Sequence, residues 1–329
     1  MRVVAKRLGP AALAFLSVCV LAGSASAAEL KPWRHGVLEA KADAGFIMMV
    51  DRGGFAEKHG LKIETTQMKN GSTVIKALIA GELDSVDMGA AESIVAGARG
   101  SGVKIVGCTW PGLPQVVMSK AEIKSPQDLK GKTIAASSPG SLPDLLARAL
   151  LDNYKIPVED VKLANLGADL DRYKAMVAGV ADAAVVSNEF GAIAPPAFKV
   201  LVSGRAIVPQ FIRLCVASTE KVLTTRRDDL VKFVAAEMDA MAYAASHRDA
   251  TVKLAHEMTN TKPDDPRAGF IFDQAVKDKQ VDPTLAIPVA NIDWMQSLFV
   301  KTGVLPKPGD TSKFVDESVR ADALKLVGK

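Results

Sequence analysis

The chain has 329 residues, of which 48% are hydrophobic, 24% charged and 5% aromatic; these proportions exclude a disordered or collagen-like protein and allow a large core. The formal charge of +4 is concentrated at the start: with Arg2, Lys6 and Arg7 set aside, 38 Lys and Arg face 37 Asp and Glu. That balance leaves no basic footprint for nucleic acid, and at about 100 to 200 residues per domain the length predicts two domains, or one interrupted by another.

The first 27 residues read as an export signal. A basic start is followed by the short apolar run Ala11 to Ala22 and by Ala25-Ser26-Ala27, a small-x-small cleavage pattern. The run is shorter than the ~20 residues that span a bilayer, which ranks a retained anchor below cleavage after Ala27. Cys19 follows Val18 rather than a small residue, which ranks lipidation lower still. The remaining cysteines, Cys108 and Cys215, are too few for a disulfide scaffold and read either as two buried thiols or as one bridge. His35, His59, His247 and His256 show no i, i+4 pair and no Cys partner at finger spacing, so neither a metal nor a cofactor is expected.

In chain order, a strand is expected at Trp33 to Lys41, a helix at Ala44 to Lys58 and a strand at Lys62 to Gln67. The segment Ala77 to Met88 then reads as helix, Gly stop and short strand, and an echo of it stands at Ala175 to Val186. Gly81 and Gly179 suit the left-handed residue that closes a helix. The second copy is preceded by a strand at Lys132 to Ala136, a helix at Leu142 to Tyr154 and a strand at Val161 to Leu166. This α/β alternation predicts two lobes of mostly parallel sheet flanked by helices. Gln115 to Ser119 and Ile212 to Ala217 are expected as a two-strand hinge. Thr224 to Ser246 carries Leu230, Phe233, Val234, Met238 and Met241 at helical spacing, and further helices are expected at His247 to Met258, Arg267 to Lys277, Asn291 to Val300 and Lys313 to Leu326.

In open α/β sheets, ligands sit beyond the carboxyl ends of strands, where helix starts present free N–H groups. The loops expected there are small and polar: Lys41-Ala42-Asp43, Asn70-Gly71-Ser72-Thr73 and Gly89-Ala90-Ala91-Glu92 from one lobe, Ser138-Pro139-Gly140-Ser141-Leu142 and Asn188-Glu189-Phe190 from the other. The Ser138 to Ser141 loop reads equally as a ligand cradle or as a plain capped helix start; the matching set in both lobes favours a ligand cleft. No nucleophile elbow, phosphate loop, dinucleotide fingerprint or zinc-protease motif is present in the sequence. Glu92 and Glu189 are conceivable as an acid–base pair, with ligand hydrogen bonding the simpler use of each.

The strings Gly53-Gly54-Phe55-Ala56-Glu57-Lys58-His59-Gly60-Leu61, Ala77 to Asp84 and Asp128-Leu129-Lys130-Gly131-Lys132-Thr133-Ile134 resemble the substrate-binding proteins of ABC importers. The nearest branch is the sulfonate, nitrate and taurine group, which includes binders of thiamine-pyrimidine precursors. The resemblance implies a type II periplasmic-binding-protein fold, with a signal peptide at 1–27, one lobe built from 28–118 and 214–329, and the other inserted at 119–213. It implies a periplasmic monomer that closes on a small-molecule ligand and docks on an ABC permease, with no nucleic acid as partner. It places the ligand against Lys41, Ala42, Asp43, Ser72, Gly89, Ala90, Glu92, Trp110, Ser138, Gly140, Ser141, Leu142, Asn188, Glu189, Phe190 and Arg213. Relatives often carry a Trp and a Pro in the segment matching Ser187 to Glu189; this chain has neither. A small organic anion, sulfonate- or carboxylate-like, fits Lys41, Arg213 and the helix starts. The alternatives are a neutral heterocycle as ligand, a sensory role beside a membrane kinase, and a pyrimidine-precursor synthase; the last depends on closely spaced cysteines, and Cys108 and Cys215 are isolated.

Overall fold

The computed structural model describes Met1 and residues 29–328 apart from Ser138 and Gly140. The expected signal segment and these two loop residues lie outside the described residues.

The first sheet is built from β1 (Lys31–Leu38). After it come the one-turn helices α1 (Ala44–Ile47), α2 (Met49–Arg52) and α3 (Phe55–Lys58), then β2 (Leu61–Met68), α4 (Gly71–Ala80), β3 (Ser85–Gly89), α5 (Ala90–Ala98) and β4 (Val103–Trp110). A single helix was expected over Ala44 to Lys58. The chain instead breaks at Met48 and again at Gly53-Gly54, where Gly54 takes φ 72°, a left-handed conformation open to glycine and closed to helix propagation. The segment also approaches its neighbour closely: a Cβ on Gly45 would stand 1.9 Å from the Thr251 carbonyl oxygen.

The chain crosses at 111–114 to a second sheet. This sheet is made from β5 (Gln115–Lys120), β6 (Thr133–Ala136), α6 (Leu142–Asn153), β7 (Lys162–Asn165), α7 (Asp169–Val177), β8 (Ala183–Ser187), β9 (Phe198–Ser203) and the one-turn helix α8 (Gly204–Ile207). It returns through β10 (Leu214–Thr219) and ends in α9 (Glu220–Thr225), α10 (Arg227–Ser246), α11 (Arg248–Thr259), α12 (Pro266–Lys277), α13 (Val289–Lys301) and α14 (Glu317–Leu326).

The two sheets share one topology, β2-β1-β3-β10-β4 and β7-β6-β8-β5-β9. In each, the reversed strand is the one that enters after a crossing: β10 is antiparallel to β3 and β4, and β5 is antiparallel to β8 and β9. Gln115 to Ser119 and Leu214 to Ala217 are thus integral sheet strands, and the crossings themselves fall at 111–114 and 208–213. The internal echo maps onto α4–β3 and α7–β8, with Gly81 at φ 80° and Gly179 at φ 78° closing the two helices.

Under the first sheet, Trp33 stacks on Phe233 at 5.6 Å, within a core that includes Phe46, Leu230, Met238 and Met241 of the long amphipathic helix and its neighbours. A second core runs from one sheet to the other through Leu113, Phe211, Ile212, Ile287 and Phe299. Cys108 and Cys215 form a disulfide between β4 and β10, the bridge that their spacing alone left open.

Candidate functional site

The loops that follow β1, β3 and β6 converge, with the starts of α4, α5 and α6, on a cleft of 740 Å³. Parallel strands carry these loops to one end of each sheet, which is why helix starts gather there. Of the residues expected at a ligand, Lys41, Ser72, Gly89, Glu92, Ser141, Leu142 and Arg213 line this space. Much of the remaining wall is apolar: Leu38, Ile75, Leu113, Leu145, Phe211, Phe299 and Val304. Gln115 supplies a polar group that loop reading did not single out, since it begins a strand.

Other expected residues serve the fold around the cleft. Ala90 is fully buried, and its N–H donates to the Arg213 carbonyl at 2.9 Å. Trp110 is buried beneath Arg213, whose guanidinium carbon lies 4.4 Å from the ring centroid, and it meets Phe46 edge-on at 5.5 Å. Phe190 stacks on Tyr173 at 4.6 Å, and Asn188 is buried with its N–H donating to the Pro114 carbonyl at 2.9 Å. Neither aromatic presents an open face for stacking a ligand. Asp43 is buried and ion-paired with Arg213. Ala42 and Glu189 line a second cavity of 260 Å³ with Lys41, Thr259, Thr261, Asp265 and Arg267. The last four lie at the α11–α12 junction, where the sequence signals only a helix cap.

The charges around the cleft are unevenly satisfied. Arg213 Nη2 is held by Asp43, whereas Nη1 is buried and has no hydrogen-bond partner among the described residues. Glu92, in the first turn of α5, has no ion-pair partner among them either; burial raises its carboxyl above the ordinary range, against a bond from its own backbone N–H. Lys41 is exposed at the rim. The Gln115 Oε1 and Ser141 Oγ atoms are buried without partners among the described residues. Behind Arg213 lies Asp87, accepting from the Thr109 hydroxyl at 3.1 Å; burial pushes its carboxyl up to about 7, with Thr109 and Arg213 pulling the other way. Deeper still, burial and Asp87 raise Glu237 well above the carboxylate range, while burial lowers His35 to about 3, so that it is neutral. Burial, with repulsion from Asp43 and Asp169, also pushes Glu189 up to about 7.

A half-buried guanidinium with one free edge, a half-buried carboxyl and an apolar wall are the groups a small organic molecule would meet in this cleft.

Residues 42–251 match the model of the family described as NMT1/THI5 like. Curated relatives described as binding proteins in Brucella abortus, Brucella suis and Brucella melitensis are 30% identical over 143 residues, which is 44% of this chain and 44% of each relative. The matched stretch therefore spans under half the length of those relatives. Among solved structures, the periplasmic aliphatic sulphonate-binding protein of Escherichia coli superposes with a TM-score of 0.73 at 19% identity, covering 87% of this chain and 92% of that one. A desulfurization enzyme superposes with a TM-score of 0.69 at 15% identity, covering 90% and 99%. At such identities the likeness concerns the fold, which is the type II periplasmic-binding-protein fold. With the family model covering well over half of its residues, the chain belongs to the NMT1/THI5-like family.

Proposed function

We propose that the protein is the periplasmic solute receptor of an ABC importer, binding a small organic anion between two lobes and handing it unchanged to a membrane permease. The observation that carries this reading is the free Nη1 edge of Arg213, buried on the wall of a 740 Å³ cleft that draws loops from both sheets. A buried donor without a partner is costly, and a carboxylate or sulfonate oxygen satisfies it with a charge-assisted bond. Lys41 adds a second cation at the rim. In this reading the lobes of a monomer bend about the crossings at 111–114 and 208–213; the boundary expected at 118/119 moves to the start of β5, because Gln115–Lys120 pairs with β8 and β9. The Cys108–Cys215 disulfide suits an oxidising compartment, as does the basic, apolar and Ala-x-Ala start of the sequence. The sulphonate-binding title of a structural neighbour and the binding-protein descriptions of the Brucella relatives point the same way.

Thermal melts of ligand-stripped protein against a panel of carboxylates and sulfonates test it. A ligand at 100 times its dissociation constant adds about 2.7 kcal/mol, which is a shift of about 4 °C in a chain of this size. A panel without any shift would count against the receptor. An Arg213→Ala variant should lose at least ten-fold in affinity for whichever anion shifts the wild type.

A further inference from the structure

The anion cradle that two converging helix starts would offer is already filled from within. α4 begins at Gly71 behind its Asn70 cap, α5 begins behind Gly89, and both starts border the cleft. Between them lies the carboxyl of Glu92: a Cβ on Gly71 would stand 2.5 Å from its Oε1, and a Cβ on Gly89 would stand 2.3 Å from its Oε2. Neither glycine has a positive φ, so close approach to this carboxyl is what each allows. The Ser72 hydroxyl, which otherwise faces the same space, donates to Asn70 Oδ1 at 2.8 Å.

Glu92 and Arg213 belong to one wall. The Ala90 N–H, two residues before Glu92, donates to the Arg213 carbonyl at 2.9 Å, and Leu214 pairs with Gly89 in the sheet. The two side chains nevertheless do not pair with each other. Arg213 spends Nη2 on Asp43 and leaves Nη1 free, and Glu92 meets no cation among the described residues. A guanidinium with one edge left over and a carboxyl that meets no cation among the described residues, held on one cleft wall, call for a ligand that carries both complements.

Building on the receptor reading above, we infer that the ligand is amphoteric, its acidic group on Arg213 and a protonated amine or comparable N–H donor on Glu92, which makes Glu92 the residue that selects against simple anions. A nitrate or an unsubstituted alkanesulfonate would meet the guanidinium but leave the Glu92 carboxylate desolvated and unpaired, and the filled cradle offers such an anion no second seat. The acceptor atom Gln115 Oε1, buried without a partner among the described residues in the same cleft, adds to the demand for a donor. Rejection of a ligand that leaves buried polar groups unpaired is a stronger filter than any gain from added apolar contact.

The test is isothermal titration with two matched pairs: 3-aminopropanesulfonate against propanesulfonate, and 4-(aminomethyl)benzoate against 4-methylbenzoate. Wild type should prefer the amine-bearing member of at least one pair by ten-fold or more. Glu92→Gln, which keeps the shape and removes the charge, should erase that preference by weakening the amine-bearing member, with the plain anion unchanged or tighter. Glu92→Asp, shorter by one methylene but still charged, should restore part of it, a result that a purely structural Glu92 would not give. A wild type that binds the plain anions as well as or better than their amine-bearing partners would overturn the inference and leave the receptor reading standing, as would a Glu92→Gln variant with undiminished discrimination. Binding of none of the four probes, with no small molecule released from gently purified protein, would overturn both.

Discussion

Asp87, Glu92, Glu189 and Glu237 are acids whose carboxyls burial raises, and their shared sign fixes how stability responds to pH. A carboxyl raised in the folded state holds its proton where the unfolded chain has lost it. Its contribution is therefore full below the unfolded value and is lost as pH rises through the folded one. For Asp87 the window runs from 3.8 to about 7. His35, lowered to about 3, acts oppositely below pH 6.5, so the difference between wild type and a variant isolates the acid. Asp87→Asn should make the decline of unfolding free energy between pH 5 and 7 shallower, by at most about 1.4 kcal/mol per pH unit, with little further divergence above pH 8. Denaturant melts at four pH values measure it, and parallel curves for the two proteins would refute the assignment. At this scale the sequence was only partly informative. Small and charged residues in loops after strands announced Lys41, Gly89, Glu92 and Ser141, because helix starts and chain reversals impose local patterns. Trp110 and Phe190 were expected at the ligand, yet both are buried in packing contacts, since an aromatic in a loop looks the same from the sequence whether it faces a cleft or a core.

Among the elements, β10 is the one that joins the two halves of the chain. It returns from the second sheet, pairs antiparallel with β3 and β4, places Arg213 just before its first residue and is tied to β4 by the Cys108–Cys215 disulfide. The bridge closes a loop across a sequence separation of 107, a loop that includes every strand of the second sheet. Loop entropy alone gives about 4.7 kcal/mol for a loop of this size, and removing the bridge should cost about 2 to 4 kcal/mol, the usual range for such crosslinks. A Cys108→Ala, Cys215→Ala double variant should thus melt lower than wild type in oxidising buffer and match reduced wild type more closely. Equal stability of the double variant and oxidised wild type would show that the bridge contributes nothing. The strand–helix alternation was legible because periodicity and the echoed Ala-Gly-x-x-Asp strings are local signals. What escaped was tertiary: the division of Ala44 to Lys58 into three turns follows from contacts such as that of Gly45 with Thr251 on α11. Likewise, the membership of Gln115 to Lys120 in the second sheet is decided by its pairing with β8 and β9, more than 60 residues away in sequence.

On the scale of the whole molecule, two sheets of equivalent strand order send loops to one cleft, whose wall is largely apolar and holds a guanidinium edge and a carboxyl that lack partners among the described residues. Under the receptor reading proposed above, the crossings at 111–114 and 208–213 are where such a duplicated frame would bend as it closed on a ligand. The long α10 packs its buried face under the first sheet, and α12 reaches the turn Asn188–Ala192 of the second, where Phe270 lies against Gly191. A ligand that bridges these parts would hold them closed. The most direct test is native mass spectrometry of gently purified protein, before and after mild denaturation. The account predicts one small molecule per chain, released on unfolding and carrying both an acidic and an N–H group; a bare chain in every preparation, before and after incubation with the ligand panel, would contradict it.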